Sequence, residues 1–70
     1  MIKYSKQRQA IKDQLSNRGD HPTAEILYSE LKTSMPNLSI ATVYRNLKQL
    51  EVMGEVSTII TDGATRYDYN

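Results

Sequence analysis

Apolar residues recur along this chain in three stretches at helical spacing and then switch to alternation. In the first stretch Ile11 and Leu15 stand one turn apart. With Ser5 as N-cap and Gly19 and Pro22 as terminators, this thin stripe predicts a helix from Ser5 to about Asn17. In the second, Ala24, Leu27, Tyr28, Leu31 and Met35 share a face. Thr23 stands at the cap position, Glu25 places a negative charge in the first turn, where the helix dipole favours it, and Pro36 is the expected stop. Ile26 falls opposite that stripe and is expected at the surface. In the third, Ile40, Val43, Leu47 and Leu50 form the inward stripe behind the cap Ser39. Gly54 sits where a left-handed residue closes a helix. Beyond Glu55 the period becomes two: Val56, Thr58 and Ile60 alternate with Ser57, Ile59 and Thr61. Asp62-Gly63 is a two-residue turn signal, and a second β-prone run passes through Tyr67 and Tyr69. Three helices, a short link between the second and third, and a hairpin predict a mainly α fold, the winged helix-turn-helix. There the third helix enters the DNA major groove and the two-stranded hairpin is the wing beside it.

Composition narrows the class. Seventy residues make one small domain that buries roughly 60% of its unfolded surface. With 39% apolar and 24% charged residues the chain is globular rather than disordered. It has no cysteine, which excludes a disulfide framework and a thiolate zinc site within it and suits a reducing compartment. No apolar run approaches the roughly 20 residues of a membrane span, and no secretory leader is visible, so the expectation is a cytoplasmic protein with no membrane contact. Net charge is only +1, yet Lys3, Lys6, Arg8 and Lys12 all precede the first acid, Asp13. A basic end on a near-neutral chain suggests one local anionic contact, though a solvated terminal segment would read the same way.

The polar side of the third helix carries the functional signal. With the apolar stripe turned inward, Arg45 points outward, Thr42 and Gln49 flank it, Lys48 lies further round, and Tyr44 and Asn46 occupy the edges. The exposed side holds no acid until Glu51. Arginine pairs bidentately with guanine, and threonine or an aromatic ring packs on a thymine methyl. Ser39 and the free amides of the helix start suit a phosphate. A face that merely keeps a helix soluble usually mixes both signs. Tyr44 stays open at this point, because an edge tyrosine often only covers a core.

The run "HPTAEILYSELKTSMPNLSIATVYRNLKQLEVMGEV", His21 to Val56, resembles the Fur family of metal-dependent transcriptional regulators. The shared pattern is roughly H-P-T-A-x-x-[IL]-Y-x-x-L-K followed by P-N-[ILM]-S-x-A-T-V-Y-R-x-L-x-x-L-x-x-x-G-x-V. "KYSKQRQAI" resembles the segment before it and "TRYDY" the end of the wing. The resemblance implies a homodimeric repressor that binds AT-rich palindromic operators when loaded with a regulatory divalent metal, iron or manganese and in some members zinc. It implies that Tyr44 and Arg45 read bases or touch the backbone from the major groove. Ser39 and Thr42 would contact the backbone, Arg8 a phosphate, and Lys3 the minor groove. Family members usually continue past the wing into a histidine-rich stretch and a dimerisation domain, and many have a further helix before the segment that begins here. The chain is therefore expected to be an isolated DNA-binding domain, residues 1–70, holding no metal tightly by itself. Ile26 stands where the family commonly has an acid.

His21, taken alone, is a capping or solvated residue at a loop-to-helix junction, and Asp68 a polar strand residue; a metal site needs three or more convergent donors. The resemblance implies that His21 and Asp68 are two ligands of the regulatory metal, completed by others beyond Asn70. Aspartate at the wing end leans toward the peroxide-sensing members, with an iron- or zinc-uptake regulator as the alternative. A winged-helix protein-interaction module, using Ile26, Tyr67 and Tyr69, is the competing class. Catalysis is not expected: the chain has no cysteine nucleophile, no glycine-rich phosphate loop and no clustered acid-base set.

Overall fold

In a computed structural model, which describes residues 5–70, the chain folds as α1 (Lys6–Ser16), α2 (Ala24–Leu31), α3 (Ile40–Val52), β1 (Val56–Thr61) and β2 (Ala64–Tyr69). Each helix opens on the residue expected from sequence. The hydroxyl of Ser5 accepts from the Arg8 amide, that of Thr23 from the Ile26 amide and that of Ser39 from the Thr42 amide. Each cap satisfies one of the orphan N–H groups at a helix start.

Helix α2 ends earlier than the proline suggested. It stops at Leu31, and turns carry the chain to Met35, whose amide donates to the Leu31 carbonyl at 2.9 Å. The Ser34 hydroxyl donates to the same carbonyl at 3.3 Å, and Lys32 Nζ reaches the Leu38 carbonyl at 3.1 Å. These side chains supply extra donors to carbonyls at and beyond the helix end.

Helix α3 ends in a Schellman motif. The Glu55 amide donates to the Leu50 carbonyl and the Gly54 amide to the Glu51 carbonyl, with Gly54 at φ +80°. The hairpin turns through Asp62 (φ 50°) and Gly63 (φ 77°), two successive left-handed residues as a type I′ turn requires, and pairs antiparallel from Val56↔Tyr69 to Thr61↔Ala64.

The core draws on every element: Ile11 and Leu15 from α1, Ala24, Leu27 and Leu31 from α2, Val43, Leu47 and Leu50 from α3, Val56 and Tyr67 from the wing, and Leu38 from the α2–α3 link. Three placements depart from the sequence expectation. Ile40 is only half-buried, and its inward position is filled by Leu38, one residue before the cap. Asn46 is not an edge residue: it is 6% exposed, and its amide donates to the Thr42 carbonyl at 2.8 Å. In β1 the alternation stops at the root, with Val56 buried while Ile60 is 76% exposed. The inward-facing residue of β2 is Tyr67. A two-stranded wing reaches beyond the helices, so only its base has a core to meet. Ile26 is exposed, as its place opposite the stripe requires.

β2 is fastened to the α1–α2 loop. The Tyr67 amide donates to the Pro22 carbonyl at 3.0 Å, and Arg66 Nη1 donates to the His21 carbonyl at 2.9 Å. On the other side Lys12 of α1 pairs with Glu55 at 2.6 Å, at the foot of the wing. The elements form a winged helix-turn-helix, with α2 and α3 as the helical pair and β1–β2 as the wing.

Candidate nucleic-acid interface

The outward face of α3 is built from its first two turns. Ser39 Oγ takes the Thr42 amide at 3.1 Å and lies 2.9 Å from the Thr42 hydroxyl, so these two side chains hold each other across the helix start. Arg45, exposed one turn later, has Nη2 3.5 Å from Thr42 Oγ1. At that distance the contact is at the limit of a hydrogen bond and leaves the guanidinium fork available to a partner. Arg8 of α1 joins this face from the side: its Nη1 donates to Gln49 Oε1 at 3.2 Å. Thus five of the six residues expected at a DNA contact (Arg8, Ser39, Thr42, Tyr44 and Arg45) lie on or beside α3, and the sixth, Lys3, lies outside the described residues.

Two features were not visible in the sequence. Part of the basic N-terminal group is turned to internal work, since Lys12 is held by Glu55, whose hydrogen bond and charge raise the ammonium pKa. More important, the α3 face does carry an acid, lent by another helix. The Tyr44 phenol donates to a carboxylate oxygen of Glu25, on the first turn of α2. That hydrogen bond pushes the Tyr44 hydroxyl up from its ordinary value and lowers the Glu25 carboxyl. The pair belongs to a cleft between α3 and the wing, closed by Tyr67 and the turn at Gly63. Nothing in the sequence signals this meeting, because it depends on how α2 crosses α3. Glu51, the acid that sequence did place on the far end of the helix, is engaged by the Thr58 hydroxyl at 3.0 Å and by Lys48 at 3.3 Å, both of which lower its pKa.

His21 and Asp68 come together although they stand 47 positions apart in the chain. Nδ1 of the imidazole is 3.7 Å from Oδ1 of Asp68, an ion pair when the ring is protonated, and both side chains are about half exposed. The stitches from Tyr67 and Arg66 to the neighbouring backbone carbonyls set this approach. One imidazole and one carboxylate suit iron, manganese or zinc in donor type, but two donors do not close a site. Among the described residues no group of three or more His, Cys, Asp or Glu converges to hold a metal ion. No helix among them is long and apolar enough to cross a membrane.

A capped helix presenting Thr42, Tyr44 and Arg45 beside a β-hairpin defines a winged-helix domain of the kind found in transcriptional regulators. Comparison with known proteins makes the class specific: residues 1–70 match the Ferric uptake regulator family, and the chain belongs to it. It is 39% identical over 70 residues to the peroxide-responsive repressor PerR of Staphylococcus aureus (strain Mu50), covering 99% of this chain and 47% of that protein. Among solved structures it superposes with a TM-score of 0.92 on PerR from Streptococcus pyogenes, at 37% identity over 97% of this chain and 48% of that one. The Helicobacter pylori ferric uptake regulator, described as having three functional metal binding sites, gives a TM-score of 0.90 at 32% identity, over 97% of this chain and 46% of that one. The chain thus spans about half the length of the relatives it matches.

Proposed function

We infer that this chain is the DNA-reading portion, residues 1–70, of a metal-responsive repressor of the peroxide-sensing kind. The observation that carries the reading is the α3 face, where Arg45 stands exposed beside a hydroxyl-lined helix start. Arg45 reads guanine edges, Tyr44 meets bases, Ser39 and Thr42 take the phosphate backbone, and Arg8, tied to Gln49, adds a second phosphate contact. Lys3 is assigned the minor groove on family resemblance alone. The operator is an AT-rich palindrome read by a homodimer. The fold measures 30 × 29 × 21 Å, so one copy covers at most one half-site when half-sites recur about every 34–36 Å.

His21 and Asp68 supply two ligands of the regulatory metal, and further ligands come from the rest of the regulator. His21 and Asp68 would hold the cation in part, and it would supply positive charge at the root of the wing. The chain's own part is to bring these donors within reach of each other through the Arg66 and Tyr67 stitches. The PerR relatives and the aspartate at position 68 support the peroxide-sensing branch over iron or zinc uptake. The competing protein-interaction reading loses its aromatic contacts, because Tyr67 is 7% exposed and Tyr69 packs against the core.

In vitro selection from a randomised duplex pool tests the proposal. With the full dimeric regulator an AT-rich inverted repeat should be enriched, and with this chain alone a single half-site, the affinity of each falling steeply with salt as phosphate contacts release counterions. Arg45→Ala should cost about 1–3 kcal/mol and relax base preference, whereas Arg8→Ala should weaken all sequences alike. Absence of enrichment overturns the reading. In the full regulator, His21→Ala or Asp68→Ala should abolish the metal dependence of operator binding; unchanged metal dependence in both variants rejects the ligand assignment.

A further inference from the structure

The carboxylate at Tyr44 is out of place on a surface meant for a polyanion, since a phosphate backbone approaching that cleft meets a negative charge. Its geometry suggests what it does there. A phenol has one proton to donate, and Tyr44 gives it to Glu25. While that bond holds, the hydroxyl cannot donate to a phosphate oxygen, which itself only accepts. The bond also pins the far end of a side chain that is 43% exposed and would otherwise sample several rotamers. What remains for a DNA base is the ring itself, held beside Tyr67 and the wing turn.

Building on the DNA-binding reading, we propose that Glu25 is a positioning residue for sequence readout. It holds Tyr44 by its hydroxyl so that the ring meets base edges, with the thymine methyl as its natural target, and it withdraws the hydroxyl from the phosphates. The opposed pKa shifts of the two groups fit a shared hydrogen bond with the charge on Glu25. Among the described residues, Glu25 from α2 and Tyr67 from β2 act on the Tyr44 hydroxyl, and the Thr23 side chain also bonds the Glu25 carboxylate.

The test uses the duplex enriched by the wild-type protein, with deoxyuridine replacing thymidine one position at a time. Losing one methyl contact should weaken wild-type binding by about fourfold at a single position in each half-site. Glu25→Gln keeps an acceptor for the phenol but removes the charge, so it should bind every duplex more tightly and keep the thymine preference. Glu25→Ala removes both and should lose the preference, bringing the thymine-to-uracil ratio close to one whatever happens to overall affinity. A wild-type preference that persists in Glu25→Ala, or disappears equally in Glu25→Gln, overturns the proposal. A second readout needs no DNA: the Tyr44 phenol, followed by NMR, should titrate at lower pH in Glu25→Ala than in wild type, and an unchanged midpoint counts against the contact. Failure of the wild-type protein to enrich any duplex instead overturns the DNA-binding reading on which this one rests.

Discussion

Asn46 shows how a single polar side chain can be structural on a functional helix. It is buried between the core stripe and the reading face, and its amide holds the Thr42 carbonyl at 2.8 Å. Thr42 is itself tied to the cap Ser39, so Asn46 steadies the turn that presents the outward hydroxyls. Asn46→Ala should lower stability by about 1 kcal/mol, the lost hydrogen bond and packing outweighing alanine's better helix propensity. A shift of the urea midpoint with unchanged slope is the expected signature; an unchanged midpoint would show that the bond contributes nothing. A sequence wheel puts Asn46 at the edge of the helix, and polarity argues for solvent. The residue is nevertheless inside because its amide finds a carbonyl of its own helix and so needs no water. Arg45 is the opposite case: its outward position was legible from spacing alone.

At the level of elements the sequence was most informative where local chemistry decides. The three caps, the Gly54 stop and the Asp62-Gly63 turn each act within a few residues, and all appear where the pattern put them. Gly54→Ala tests one of them cleanly. A Cβ there would meet open space, so the cost is purely that of a left-handed alanine, about 1–2 kcal/mol. Gly63→Asn, in a turn that asparagine tolerates, should cost less in the same thermal melt. What the sequence hid depends on neighbours. The early end of α2 goes with side-chain donors to the carbonyls at and beyond it, and the exposure of Ile60 with a wing longer than the core beneath it. The candidate site divides in the same way: the outward placing of Thr42 and Arg45 was readable by period, with Tyr44 left open, while Glu25 and the approach of His21 to Asp68 arise from helix crossing and from stitches between distant segments.

For the molecule as a whole, polar links between segments supplement a small core. Arg18, ahead of α2, donates to both carboxylate oxygens of Asp20, at 2.7 and 2.9 Å, and also to Glu30, which takes a further bond from Gln14 of α1 at 2.9 Å. Arg18 is the main cause of the lowered Glu30 pKa. The folded state therefore holds this carboxyl ionised where the unfolded chain has begun to take up a proton. Its contribution is present above the ordinary carboxylate range and fades as pH falls through the depressed folded value. Glu30→Gln should accordingly flatten the decline in Tm between about pH 5 and pH 3; a decline as steep as the wild type's would place the acid sensitivity elsewhere. The bonds from β2 to the His21 and Pro22 carbonyls have a mechanical consequence. They hold the hairpin from its middle, at Arg66 and Tyr67, while beyond them Ile60, Thr61 and Thr65 stand exposed. The wing is thus a cantilever, stiff at the support and compliant at the tip. A load applied beside Asp68 acts next to these ties, and the paired strands are what would carry it to the tip.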